Sequence, residues 1–127
     1  MKKVLALILA LATIFMAGCS QVNSAATIGD RKIALDDLQT QVDLILLERE
    51  GVDTSQMQLE SGEALTRSQL SYMISNIIIE ELAKDQKIEI TPSELESYKA
   101  QIFANIGGEA NLPSVLVNAS IPSTALE

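Results

Sequence analysis

The spacing of apolar residues changes along the chain, and each change marks an element. Val4 to Met16 is an unbroken apolar run behind Lys2 and Lys3, followed by small Ala17 and Gly18 and then Cys19. After a short polar stretch, Ser20 to Ala25, the triplets Ala26-Thr27-Ile28 and Arg31-Lys32-Ile33 flank Gly29-Asp30. That pair suits a tight hairpin, because glycine tolerates positive φ. From Leu35 the period becomes helical: Leu35, Leu38, Val42, Ile45 and Leu46 share one face. Asp36 and Asp37 fall in the first turn, where they suit the helix dipole, and Gly51 is the stop, so a helix over about 36–50 is predicted. Residues 51–62 lack an apolar period and read as a loop, with Met57 and Leu59 expected partly buried under it, a pattern that exposed contact residues would share.

A longer helix follows, over about 63–86. Leu65, Leu70, Met73, Ile74, Ile77, Ile78 and Leu82 form its stripe, and Ile79 widens the arc, so burial on more than one side is expected. The β-branched run Ile77-Ile78-Ile79 is assigned to helix because the stripe continues on both sides without a turn signal. Lys87 to Ile90 is a short extended link. Thr91-Pro92-Ser93-Glu94 then forms a capping box with proline at the first helical position, where no donor is needed. Leu95, Tyr98, Ile102, Phe103 and Ile106 mark the expected buried face of that helix, and Gly107-Gly108 ends it. Asn111, with Pro113 in the first turn, opens a fourth helix carrying Val115 and Leu116, and Ile121-Pro122-Ser123-Thr124 starts a fifth. The fold class is therefore mainly α: a small N-terminal β-hairpin followed by four to five packed helices, the last truncated at Glu127.

The first 18 residues have the charged, apolar, small-residue order of a secretory signal. Their apolar run is shorter than the roughly 20 residues a helix needs to cross a bilayer core. Met16-Ala17-Gly18-Cys19 resembles the bacterial lipobox, with methionine where leucine is usual, and the resemblance implies lipid on the Cys19 thiol and cleavage before it. An ordinary secreted protein with a cysteine near the cut is the competing reading. An internal disulfide is excluded, since Cys19 is the only cysteine. The expected organisation is a signal peptide over 1–18, a lipidated tether over 19–25 and one small domain over 26–127.

Charge narrows the partners. Removing residues 1–18, two lysines among them, from a 127-residue chain of net charge −8 leaves 109 residues at −10. Such a surface repels phosphate backbones and anionic headgroups, so no nucleic-acid partner is expected, and lipid on Cys19 is the expected membrane contact. Histidine is absent, which excludes a Ser-His-Asp triad, a histidine base and a histidine metal site. The carboxylate pairs Asp36-Asp37, Glu48-Glu50, Glu80-Glu81 and Glu94-Glu96 are spaced by one or two on predicted helices, so they do not share a face. Gly107-Gly108 lacks the following lysine of a phosphate loop. No catalytic residue, cofactor or metal ligand is assigned, and the chain is not read as an enzyme.

The segments ATIGDRKIALDDL, TRSQLSYMISNIIIEELAKDQKIEITPSEL and the Gly107-Gly108 region before SVLVNASIPSTALE together resemble the N-terminal domain of SurA-like and PrsA-like extracytoplasmic chaperones, over about Ala26 to Glu127. The middle segment is the most specific; in the first, Ala34 stands where the family often has threonine, so that helix lacks its usual cap. The resemblance implies a holdase that binds unfolded or newly exported polypeptides on an apolar surface. With Cys19 lipidated, it would sit on the extracytoplasmic face of the cell membrane, which is the periplasmic side in a two-membrane cell. Relatives often continue into a parvulin-type prolyl isomerase domain, so a foldase whose isomerase lies beyond Glu127 is one alternative, and a small surface lipoprotein acting as an interaction module is another. In relatives the last helix returns to pack near the first. The domain is thus expected to be incomplete at its C-terminus, with uncovered apolar faces that favour a homodimer.

Overall fold

In a computed structural model, which describes residues 23–126, a two-stranded hairpin opens a helical chain. β1 (Ser24–Ile28) and β2 (Arg31–Ala34) are followed by α1 (Leu35–Glu50), α2 (Gly62–Asp85), α3 (Pro92–Asn105) and α4 (Leu112–Ala119), with 3-10 turns at Glu109–Asn111 and Ser123–Leu126. The mainly-α architecture is the one the apolar pattern predicts. Where a fifth helix was expected to start, the described residues close into a single 3-10 turn.

The hairpin is antiparallel, pairing Ala26 with Ile33, Thr27 with Lys32 and Ile28 with Arg31, and Gly29 supplies the positive φ of its turn at +57°. The pairing is irregular between Ser24 and Ala26, where the Ser24 hydroxyl donates to the Ala26 carbonyl at 2.9 Å. Strand β1 thus takes in Ser24 and Ala25, which the sequence reading assigns to the tether. Ala34, at the N-cap of α1, has no side chain to accept a hydrogen bond. The entering chain makes up part of this lack, because the Leu35 amide donates to the Asn23 carbonyl at 2.9 Å.

Leu38, Val42 and Ile45 of α1 form the core with Leu65 of α2, and Leu70, Met73 and Ala25 pack against it. Full burial of each such aliphatic side chain contributes roughly 1.5–3 kcal/mol. Ile33 of β2, Ile77 of α2, and Leu116 and Val117 of α4 are buried outside that cluster. Leu35 and Leu46, also on the apolar stripe expected for α1, remain exposed at its rim.

A polar clamp holds α4 to the α1–α2 pair. Gln69, only 2% exposed, donates from Nε2 to the Ser120 carbonyl at 2.6 Å. Arg49 donates from Nη2 to the Ser120 hydroxyl at 3.1 Å and from Nη1 to the Glu60 carbonyl at 2.7 Å, so the same side chain also ties down the α1–α2 loop. Beyond the clamp, Glu48 accepts from the Ser123 amide at 2.9 Å and from its hydroxyl at 2.6 Å.

Three helices end in the same way, by one residue in the left-handed region. At the end of α2, Lys87 has φ +53° while its amide donates to the Lys84 carbonyl and that of Ile88 to the Ala83 carbonyl. Gly107 (φ +81°) ends α3 and Ser120 (φ +53°) ends α4 with equivalent pairs of bonds. A Cβ on Gly107 would meet Asn111 Nδ2 at 3.0 Å, and that amide is engaged with the Ile106 carbonyl. Asn111 therefore caps the end of α3 rather than the start of α4, which the sequence reading expects of it. Gly51, read as the stop of α1, sits at φ −85° and uses none of glycine's extra freedom.

Replacing Gln69 by alanine orphans the Ser120 carbonyl and opens a hole at the clamp. The expected loss is roughly 2–3 kcal/mol of unfolding free energy. Urea unfolding followed by circular dichroism measures it, and a midpoint equal to that of the unsubstituted protein would show that the clamp does not hold α4.

Candidate functional site

Helix α2 is longer than the element it packs on. Its 24 residues rise about 36 Å against about 24 Å for the 16 of α1. The two run antiparallel, with Asp37 and Gln41 of α1 lining one cleft with Met73, Asn76 and Ile77 of α2. The turns of α2 after Ile77 therefore extend past the start of α1, where the hairpin reaches them. Arg31 of β2 forms an ion pair with Glu80 and lies 3.6 Å from Glu81.

On that extension the expected burial on several sides does not occur. Ile78, Ile79 and Leu82 are half to two-thirds exposed, Ile79 at 63%. The exposed row continues through Ile88 and Ile90 of the link, Ile90 at 71%, to Leu95 and Tyr98 of α3. The face expected to bury α3 is thus corrected: no residue of α3 is buried, Leu95 and Tyr98 are exposed, and Ile102, Phe103 and Ile106 are half-buried. The physical reason is the same for both helices. Periodicity marks the apolar face, but among the described residues nothing buries Ile78, Ile79 and Leu82 on α2 or Leu95 and Tyr98 on α3.

The inner side of α3 borders a second apolar region. Ile102 and Phe103 line a cleft of about 430 Å³ with Leu112 and Leu126. The same Leu112 and Leu126 border a cleft of about 330 Å³ with Val52, Pro113, Leu116 and Val117. The two clefts share a wall, so an apolar seam runs between α3 and the end of α1.

The carboxylate pairs are mostly solvated. Asp36, Asp37, Glu50, Glu80, Glu81, Glu94 and Glu96 are exposed, while Glu48 is half-buried and spent on Ser123. Among the described residues, no group of three or more Asp, Glu, Cys or His side chains is placed to hold a metal ion. Cys19 lies outside the described residues. Also among the described residues, no helix is long and apolar enough to cross a membrane. The sequence reading passed over Ile88 and Ile90 as part of the surface and Gln69, Arg49 and Ser120 as a clamp. For Gln69 a signal existed: it stands four residues from both Leu65 and Met73, on the core-facing stripe.

Electrostatics at this surface are local. The Thr91 backbone amide, at 2.8 Å, and then the Thr91 hydroxyl hold the Glu94 carboxyl below the usual glutamate range, completing the expected capping box. The Arg31 guanidinium does the same for Glu80, chiefly by its hydrogen bond. Both carboxylates are exposed, so each is a weak tie.

Comparison with protein-family models matches residues 1–107 to the SurA-like N-terminal domain. The matched span takes in the hairpin and α1 to α3, ends at the Gly107 stop, and leaves α4 outside. No curated protein and no solved structure matches the chain.

Because Glu94 and Glu80 have lowered folded-state values, what they contribute is present above the ordinary glutamate range and is lost as pH falls through the folded values. Acidification is therefore expected to fray the start of α3 before the Leu65 core opens. Amide exchange at Ser93 to Glu96 checks this across the acid range. Glu94→Gln removes the ionisable member of the box, and exchange there should lose its pH-dependent step; a step of unchanged size in the variant would refute the assignment.

Proposed function

The chain belongs to the SurA-like N-terminal domain family, a chaperone-type module of extracytoplasmic proteins, and on that premise we propose that it is a membrane-anchored holdase for unfolded exported polypeptides. The observation that carries the reading is the uncovered apolar row from Ile78 to Tyr98. A folded monomer ordinarily covers such a surface or uses it. Here it lies on two helices and a link that project from the core, so a client can be held without opening the domain. Contacts of this kind are adaptable and discriminate little between sequences, which suits weak binding of many chains.

Anchoring rests on Met16-Ala17-Gly18-Cys19. From a lipid on Cys19, residues 20–23 reach at most roughly 14 Å before β1 begins. The body would therefore stay against the membrane where exported chains emerge. The carboxylates of the described residues serve caps, ion pairs and solvent, and the proposed role needs no chemical step from them.

Two measurements test the proposal. Suppression of aggregation of an unfolded client, followed by light scattering, should require about tenfold more of an Ile79→Asp/Leu82→Asp variant than of the unsubstituted protein, while the thermal midpoint hardly moves, since both side chains are already exposed. Equal potency would remove the row as the binding surface, and a stable dimer that covers the row and leaves clients unprotected would replace the holdase by self-association. For the anchor, Cys19→Ser should move the protein out of the membrane fraction and abolish the lipid mass increment. Membrane retention of that variant would overturn lipid attachment at Cys19.

A further inference from the structure

The uncovered row that starts at Ile78 and the apolar run from Val4 to Met16 belong to one chain, and the point where the run joins the body brings them within reach of each other. The chain enters at Asn23, whose carbonyl accepts from the Leu35 amide at the start of α1. From there β1 leads to Ile28, which pairs with Arg31, and Arg31 in turn holds Glu80. Asn23 to Ile28 is roughly 17 Å of strand. Residues 17–22, between Met16 and Asn23, span at most roughly 20 Å, so Met16 can reach the turn of α2 that carries Ile78, Ile79 and Leu82.

Other occupants of the row lack what this run has. A second copy brings a net charge of −8 against its like, which opposes close approach. A separate polypeptide must be drawn from dilute solution. The run Val4–Met16 carries no charge, and a tether this short gives it an effective concentration in the millimolar range. At about 1 mM, a contact with an intrinsic dissociation constant of about 100 µM is closed roughly nine-tenths of the time, and a competing client is weakened about tenfold.

We propose that in the uncleaved chain the run Val4–Met16 lies on this row and closes it, so that removal of residues 1–18 opens the surface to clients. The consequence for clients rests on the holdase reading; the docking does not. Both are tested on the full chain, synthesised without membranes so that it stays uncleaved. In a Cys19→Ser background, Ile14→Cys is combined either with Ile79→Cys on the row or with Leu47→Cys, a position of equal exposure on α1. Leu47 lies about 18 Å along α1 from its start, so both partners are within reach of position 14. Under mild oxidation position 14 is expected to cross-link to position 79 within one chain about tenfold faster than to position 47. Equal rates would overturn the docking, and a covalent dimer through position 79 would give the row to a second copy and overturn it as well. For the consequence, a Leu7→Asp/Leu11→Asp full chain should bind a fluorescent unfolded client about tenfold more tightly than the unsubstituted full chain, measured by anisotropy. Equal affinity would overturn the closure. Client binding by neither chain would overturn the holdase reading, with the cross-link still deciding the docking.

Discussion

The placement of α4 depends on the clamp at Ser120. Gln69 and Arg49 converge on one left-handed residue that stands 51 and 71 positions further along the chain. Leu116 and Val117 supply apolar burial for α4, but apolar contacts are non-directional and tolerate sliding. The hydrogen bonds to Ser120 set where α4 stops. The clamp also carries a cost, since Arg49 Nε and Gln69 Oε1 are buried without partners among the described residues. A donor and an acceptor desolvated at one node offset part of what the bonds contribute, so the node is worth more as a positioning device than as a source of stability.

Once α4 is fixed there and α2 is fixed in the core, α3 has both its ends determined by other elements. It leaves α2 through the Lys87 turn and reaches α4 through Gly107 and Gly108. Between those points it buries no residue, so its helicity rests on its own terminal bonds: the Thr91–Glu94 box at one end, and the Gly107 turn with Asn111 at the other. This explains why the strongest local signal in the chain sits on the least packed helix. A helix without tertiary support needs its caps, because short helices are marginal in water on propensity alone.

The same contrast separates what was legible in the sequence from what was not. The Leu38–Val42–Ile45 stripe, the Gly29 turn, the Thr91 box and the Gly107 stop are local, and each appears where the residue pattern puts it. The uncovered side of α2 and the unburied face of α3 were missed because a periodic stripe reports which side is apolar and says nothing of what lies opposite. Lys87 and Ser120 were missed as helix stops because each uses the left-handed conformation without being glycine, at a cost of order 1 kcal/mol that no residue type announces. Gln69 was passed over because a polar residue on an apolar stripe reads as an interruption, when it is the donor that orients α4.

An exposed apolar row must also be kept from its own copies. The chain carries a net charge of −8, and acids stand beside the row on both helices and in the link between them. Two such rows facing each other would bring like charges together as they bury apolar side chains, whereas an uncharged or basic segment meets no such opposition. Burial alone favours a second copy as readily as a client; repulsion between acidic rims is the term that separates them. On the proposed holdase reading, the acidic composition gains a role at this surface: the charge that opposes a second copy is the charge a client would meet.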